Sequence, residues 1–177
     1  MVRLYVASAL QRLPLADRWE IAGRLIRHQE DAQDHNLPLM YWYGFEPLVA
    51  ADPARALALA AEAVAPLPEF SVRRAAGLGT AQALAAVVEA IDRLPEDSAR
   101  AVLLAAARQG LAGIRQVEMP PNWSALYRRL AASGDEQVRT LATALAITFG
   151  DATALDAMRQ LVADRRVEPE LREQALA

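Results

Sequence analysis

Apolar residues recur along this chain with the spacing of one face of an α-helix. Val2, Val6 and Leu10 stand at i, i+4 and i+8, and similar stripes begin at Leu84 and at Leu155. Alternation with a period of two, which would indicate strands, persists nowhere, and no Asn-Gly or Asp-Gly hairpin turn occurs. The pattern predicts an all-α protein of about ten helices, each of roughly 10–15 residues, joined by short turns.

Several breaks between the stripes carry residues that begin helices. Asp52 precedes Pro53, which predicts an N-cap followed by the first helical position, where the missing N–H of proline costs nothing. Ser133 stands three residues before Glu136, the spacing of a capping box. Asp151 follows a glycine at the end of another stripe. Each of these signals predicts the start of a new helix.

The predicted helices also repeat one another. DEQVRTLATALA at 135–146 is echoed by EPELREQALA at 168–177, which places Arg139 and Arg172 at equivalent positions 33 residues apart. The same Val-Arg pair followed by small residues opens the chain and recurs in EFSVRRAAGLG at 69–79. Such self-similarity predicts an α-solenoid of stacked antiparallel helix pairs, in which each repeated arginine forms a salt bridge to a neighbouring repeat.

Composition narrows the class without indicating a reaction. The 177 residues suffice for one domain, and 54% hydrophobic with 6% aromatic content predicts a core of Ala, Leu and Val. The net charge of −3 gives no general attraction to nucleic acid or to an anionic membrane. The absence of Cys excludes disulfides, a thiol nucleophile, thiolate zinc sites and covalent attachment of c-type haem. Neither a transmembrane run nor a signal peptide is recognisable.

Both ends of the chain fall inside helical patterns, MVRLYVASALQRL at the start and PELREQALA at the end. We therefore expect residues 1–177 to be a single repeat domain within a larger polypeptide, with a complete protein whose ends fray as the alternative. Its terminal apolar faces, at Val2–Leu13 and near Leu171, would then be uncovered and would promote self-association.

Helices that open with Val-Arg and continue with alanines resemble HEAT-type repeats, which build right-handed α-solenoids. The run EDA-x-D-x-x-LPLM-x-W-x-G-x-EP at 30–47, with FSVRRAA further on, is similar to the HEAT-repeat region of large planctomycete and verrucomicrobial proteins. Those proteins are described as membrane-bound dehydrogenase-like or haem-binding. In them the repeat region lies between an N-terminal β-propeller and a C-terminal c-type cytochrome domain.

This resemblance implies a non-catalytic scaffold or protein-interaction module inside a redox protein, in an extracytoplasmic (periplasmic) location. Its partners would be other domains of the parent chain or another protein, without membrane insertion. The present chain contains neither a propeller nor a Cys-x-x-Cys-His sequence. The dehydrogenase and haem functions of the family are therefore carried by no residue here.

Residues 28–47, HQEDAQDHNLPLMYWYGFEP, concentrate the side chains that chemistry would need. Two histidines with Glu30, Asp31 and Asp34 supply potential metal ligands, but their spacing matches neither His-Glu-x-x-His nor a calcium loop. No Gly-rich phosphate loop and no Gly-x-Ser-x-Gly elbow accompanies these carboxylates. We therefore expect no metal, no cofactor and no catalytic residue, and we interpret the acidic stretch as a solvated polar turn.

A structural role explains more of this segment. Asn36 is placed to cap the following helix, with Pro38 in its first turn, and Pro47 is expected to kink or end that helix. The residues that share one face of the helix are Leu39, Trp42, Tyr43 and Glu46. We expect this face to form an aromatic wall buried against the next repeat, with binding of a partner as the alternative role.

A carboxylate on that aromatic face needs a partner. We expect Glu46 to pair with Arg73 or Arg74, which stand one predicted repeat later. If the pair is largely buried, removing one member should cost roughly 3–5 kcal/mol, because the other charge stays uncompensated. If the pair is exposed to solvent, the loss should be under about 1 kcal/mol.

The alternative function is that of a HEAT-like DNA glycosylase with an arginine-lined concave groove. The basic residues available for it are Arg128, Arg129, Arg165 and Arg166. Trp123 and Tyr127 lie beside the first pair, and aromatic rings with arginine form stacking surfaces for bases. Acids are interleaved among these residues, so we favour the scaffold and expect no nucleic acid as a partner.

Overall fold

The computed structural model describes residues 2–114 and 117–163. Within these ranges it contains ten α-helices, one short 3₁₀ helix at Gln29–Asp31 and no strand, which confirms the all-α class. The α-helices are α1 (Val2–Leu10), α2 (Leu15–Leu25), α3 (Leu37–Ala51), α4 (Pro53–Ala60), α5 (Leu67–Ala76), α6 (Ala81–Asp92), α7 (Asp97–Gly110), α8 (Trp123–Ala131), α9 (Glu136–Thr148) and α10 (Ala152–Ala163). No helix in the described part of the chain is both long enough and apolar enough to cross a membrane.

The helices pack in an ordered sequence of contacts. Helices α1, α3, α5, α7 and α9 contact one another in that order, and α4, α6 and α8 do the same. Most helices that are adjacent in the chain also pack together. The core between them consists mainly of Ala, Leu and Val, as composition predicts, with a few fully buried aromatic side chains such as Tyr41, Phe45 and Trp123.

Short-range capping signals are read correctly at two helix starts and wrongly at a third. Asp52 caps the N-terminus of α4, and its carboxylate accepts a hydrogen bond from the backbone N–H of Arg55. The Asp151 carboxylate caps α10 in the same way. The predicted capping box of Ser133 and Glu136 does not form. Asp135 caps α9 instead, because its carboxylate, directly before the helix, accepts two backbone N–H groups. The Ser133 hydroxyl donates to the Asp97 carboxylate of α7.

Pro47 does not end α3, so that half of the prediction that it would kink or end the helix is wrong. The helix continues past it to Ala51. An internal proline costs about 3 kcal/mol of helix stability. The same helix buries Tyr41 and Phe45 before the proline and Leu48 after it, and each such side chain contributes roughly 1.5–3 kcal/mol. Burial on both sides of Pro47 therefore outweighs the loss of one hydrogen bond.

The carboxyl-terminal ends of α5 and α7 meet closely at two glycines. A Cβ atom on Gly110 would lie 2.2 Å from the carbonyl oxygen of Arg73, so only glycine fits there. Gly77 follows α5 on the other side of this contact. The close approach brings the last turn of α5, with Arg73 and Arg74, to the side of α7.

The first helix exposes apolar surface. Val2 and Tyr5 are 76% and 70% exposed, and Leu4 is exposed as well. The apolar face expected at the start of the chain is therefore present, although its proposed role in self-association stays a prediction. Leu171 and the repeated Arg172 lie outside the described residues.

Candidate functional site

Five of the eight residues singled out from the sequence line one surface groove of about 530 Å³. Helices α3, α5 and α7 form its walls. The lining residues are Trp42, Tyr43, Glu46, Phe70, Arg73, Arg74, Gly77 and Gly110. The other three singled-out residues, Glu30, Asp31 and Asp34, lie elsewhere, in the turn before α3.

An ion pair crosses the groove from α3 to α5. The Nε atom of Arg74 donates to Oε1 of Glu46, which is one of the two pairings predicted from the sequence. The two side chains are 39% and 33% exposed, so water and salt screen the attraction. The pair connects two groove walls, and its contribution to stability is about 1 kcal/mol or less.

Arg73 is oriented differently from Arg74. Its guanidinium lies over the ring of Phe70, 5.1 Å from the ring centroid, in a cation–π contact. Within the described part of the chain, no carboxylate lies within 4.0 Å of Arg73, so the expected salt bridge of this repeat position is not formed there. Arg73 is exposed and lines the groove, so its guanidinium is accessible from solvent.

The aromatic residues of the groove differ in burial. Trp42 and Phe70 pack edge to face, with ring centroids 5.4 Å apart, and Tyr43 is 54% exposed at the rim. The expectation of an aromatic wall buried against the next repeat is therefore wrong for Tyr43 and for Leu39, which is also exposed. The neighbouring helices cover the opposite stripe of α3, which holds Tyr41 and Phe45.

The groove continues along the same layer of helices. A second depression of about 230 Å³ shares Phe70 and Arg73 with the first and extends to Val102 and Gln109 of α7 and Gln137 of α9. Sequence reasoning missed Phe70 as a site residue. The sequence could have indicated it, because Phe70 stands three residues before Arg73 in EFSVRR and therefore lies on the same helical face.

Asp31 is buried, which corrects the interpretation of the acidic stretch as a solvated turn. It is 5% exposed and accepts hydrogen bonds from Nη2 of Arg3 and from the Tyr41 hydroxyl, each at 2.6 Å. The hydrogen bond from Arg3 holds the pKa of Asp31 below its ordinary value. Burial, with the neighbouring Asp31 carboxylate, raises the pKa of Tyr41. These three residues form a clamp that ties α1 to the start of α3.

The remaining acids of the turn are exposed, and their bonds are mainly to residues of the turn itself. The Asp34 carboxylate accepts the N–H groups of Asn36 and Leu37 at 2.8 and 2.9 Å, and these bonds lower its pKa. The predicted capping side chain, Asn36, makes no such bond. Glu30 is exposed and lies 2.9 Å from Nδ1 of His28 and 3.4 Å from Nη1 of Arg3, so it also pairs with the arginine of the clamp. No group of three or more potential ligands in the described ranges is arranged to hold a metal ion.

The stacking surface suggested for nucleic acid is not available. Trp123 and Tyr127 are 1% and 7% exposed and stack on each other inside the core. Arg129 pairs with the Asp92 carboxylate of α6, so its charge is already matched within the chain. Arg165 and Arg166, the other basic pair of that hypothesis, lie outside the described residues.

Comparison with known proteins identifies no relative of this chain. No protein-family model, no curated protein and no solved structure matches the chain.

Proposed function

We propose that this chain is a non-catalytic α-solenoid module that binds an extended protein segment in the groove across α3, α5, α7 and α9. In this proposal the module is part of a larger redox-linked polypeptide, and the resemblance of residues 30–47 to HEAT-repeat regions of dehydrogenase-like proteins supports that part of it. The observation that carries the proposal is the groove itself, with aromatic and arginine side chains exposed along it.

The order in which the helices contact one another supports the proposed solenoid. In a stack of helix pairs, each helix packs on its chain neighbour and on the equivalent helix of the next pair. The series from α1 to α9 and the series from α4 to α8 follow that rule. Such stacks commonly use one face to hold extended partners.

The dimensions suit a segment of protein chain. Neighbouring helices pack with axes about 8–10 Å apart, so the path from α3 to α9 spans roughly 25–30 Å. An extended chain rises about 3.3 Å per residue, which corresponds to about eight residues in the groove. Exposed Tyr43 and half-buried Trp42 and Phe70 supply the amphipathic aromatic contacts that are frequent at protein interfaces.

The lowered pKa values of three carboxyl groups support a non-catalytic role for them. A carboxyl group that acts as a general acid near neutral pH needs a raised pKa. The hydrogen bonds around Asp31, Asp34 and Asp97 lower their pKa values instead. Each of these carboxylates is engaged in holding the fold together.

Selection of random peptides displayed on phage, with the purified chain as bait, tests this function. We expect enriched peptides that bind the wild-type chain and bind Tyr43→Ala about tenfold more weakly, since exposed tyrosines often dominate interface energies. Tyr5→Ala is the matched control, because it removes another exposed tyrosine from a helix outside the groove. A failure to enrich any peptide, or equal weakening by both variants, would refute the proposed binding role.

A further inference from the structure

We infer that the segment bound in the groove is anchored by one large apolar side chain, which enters a cavity between α4, α5, α6 and α7. This inference rests on the proposed function and adds the chemistry of the partner: an extended protein segment with a Phe, Trp, Leu or Met at the anchor position. The cavity has a volume of about 320 Å³ and adjoins the groove.

The walls of the cavity are almost entirely apolar. They come from the ends of α4 and α6 and from the first two turns of α5 and α7. Of the described residues that line the cavity, ten are Ala, Leu, Val or Pro, and the eleventh is the exposed Glu69. A polar side chain placed between these walls would lose its water and find few hydrogen-bond partners. The lining therefore favours an apolar occupant.

Two residues connect the cavity to the groove. Glu69 of α5 and Val102 of α7 line both the cavity and the smaller depression of the groove. Val102 is 43% exposed, so apolar surface is uncovered where the two meet. A segment bound in the groove therefore lies beside the mouth of the cavity, where one of its side chains can enter.

The size of the cavity matches one large side chain. An apolar cavity of about 150 Å³ is sufficient for a benzene molecule. A volume of about 320 Å³ therefore accepts a phenyl or indole group, whereas the methyl group of an alanine would leave most of it empty. In many protein interfaces a few large side chains in well-packed pockets contribute most of the affinity. We therefore expect the anchor to dominate the binding of the segment.

A basic anchor fits the cavity less well than an apolar one. Its charged end would have one acid of the described lining to reach, Glu69, and an ion pair at that exposed position adds little affinity. An apolar side chain instead removes the cavity walls from water along its whole length, including the exposed Val102 and the half-buried Leu94.

The test uses the peptides enriched on the wild-type chain in the display experiment. Each large apolar residue of a peptide is replaced in turn by Ala, and Kd is measured by fluorescence anisotropy. We expect one position at which the replacement weakens binding about tenfold or more.

A variant that fills the cavity locates the effect. Ala61→Trp adds an indole to the lining, and Ala61 is exposed at the end of α4, so the core is not disturbed. This variant should bind the original peptide about tenfold more weakly, and replacement of the anchor by Ala should then have no further effect. Ala132→Trp is the matched control, because Ala132 is exposed at the end of α8 and lies outside the cavity lining. It should bind as the wild type does.

A measurement on the wild-type chain complements the variants. A peptide with p-benzoylphenylalanine at the anchor position attaches covalently to nearby C–H groups on irradiation, and mass spectrometry locates the attachment. We expect it at cavity residues such as Leu57, Val72 or Leu94. Attachment only at Trp42 or Phe70 would place the side chain in the groove and overturn the anchor.

The other outcomes separate this inference from the proposed function. Peptides that require Tyr43 but have no dominant residue, or whose dominant residue is charged, would overturn the anchor and leave the groove function intact. Equal weakening by Ala61→Trp and Ala132→Trp would also overturn it, as would an anchor effect that persists unchanged in Ala61→Trp. The absence of any enriched peptide would remove both proposals together.

Discussion

Two ion pairs each link an arginine to an acid 28 residues away, one from α1 to the turn before α3 and one from α5 to α3. In the clamp, Arg3 of α1 forms an ion pair with the buried Asp31. The Asp31 carboxylate also accepts a hydrogen bond from the Tyr41 hydroxyl. In the groove, Arg74 meets Glu46, and about a third of each side chain remains exposed. The sequence shows both acids in the same 28–47 stretch, but their surroundings give them different roles.

The difference shows how burial decides what an ion pair does. If Arg3 is removed, water has little access to the Asp31 carboxylate, so the charge stays poorly solvated. Water can hydrate Glu46 if Arg74 is removed, so that pair contributes little to folding. The clamp therefore contributes more to stability than the groove pair does.

The largest effect is expected for Asp31→Ala. The change leaves the Tyr41 hydroxyl and Arg3 without their acceptor, and it should lower the free energy of unfolding by about 2–3 kcal/mol. Chemical denaturation followed by helical circular dichroism measures the loss. Glu30→Ala, which removes an exposed acid 3.4 Å from the same Arg3, is the comparison and should cost about 1 kcal/mol or less. Equal small losses from both variants would contradict the assignment of Asp31 to the clamp.

Acid should weaken the clamp in a defined pH range. Because Arg3 holds the pKa of folded Asp31 below the ordinary value of 3.8, the carboxylate stabilises the fold above that pH. This contribution is lost as the pH falls through the lowered pKa. We expect the free energy of unfolding of the wild-type chain to decrease below about pH 4, and that of Asp31→Asn to decrease less steeply. A denaturation series across pH, with Glu20→Gln as a charge-matched control, would show parallel curves if Asp31 were uninvolved.

Removal of the tyrosine hydroxyl tests the second half of the clamp. Tyr41→Phe keeps the buried ring and takes away one donor to Asp31, so it should cost about 1 kcal/mol. Arg3 still compensates the carboxylate, which keeps the loss below that of Asp31→Ala. Tyr43→Phe, at an exposed tyrosine two residues along the same helix, should leave the denaturation midpoint unchanged. A larger loss at Tyr43 than at Tyr41 would reverse the assignment of the two rings.

The groove pair should have the smaller stability effect. Glu46→Ala is expected to cost about 1 kcal/mol or less, with a similarly small coupling energy to Arg74→Ala in a double-mutant cycle. Added salt should reduce that coupling, because the pair is partly exposed. A coupling as large as the Asp31 effect would show that the two ion pairs play the same role after all.

The exposed face of the first helix gives the weakest expected effect. Val2, Leu4 and Tyr5 form apolar surface beside the clamp and should support concentration-dependent self-association in sedimentation experiments. Tyr5→Ser should reduce it, whereas Tyr43→Ser, in the groove, should not. A strictly monomeric wild-type sample at high concentration would contradict this prediction.

Tertiary packing determined features that the sequence left ambiguous. The spacing of 28–47 grouped Leu39 with Trp42 and Tyr43, yet the helices around α3 cover Tyr41 and Phe45 instead. A helix with apolar residues on more than one stripe can bury either, and only the positions of its neighbours choose between them. The same reason explains why a polar turn holds a buried aspartate: Arg3, 28 residues earlier, reaches it from α1.

The sequence by itself determined the all-α class, the caps at Asp52 and Asp151 and the pairing of Glu46 with an arginine of α5. The class and the caps depend on residues a few positions apart, and the pairing follows from the need of a carboxylate for a partner, so composition and spacing contain the information. Only the tertiary structure decided the burial of Asp31, the continuation of α3 through Pro47 and the separate orientations of Arg73 and Arg74. Those outcomes depend on which distant side chains come together, because the free energy of burial outweighs local preference wherever the two compete.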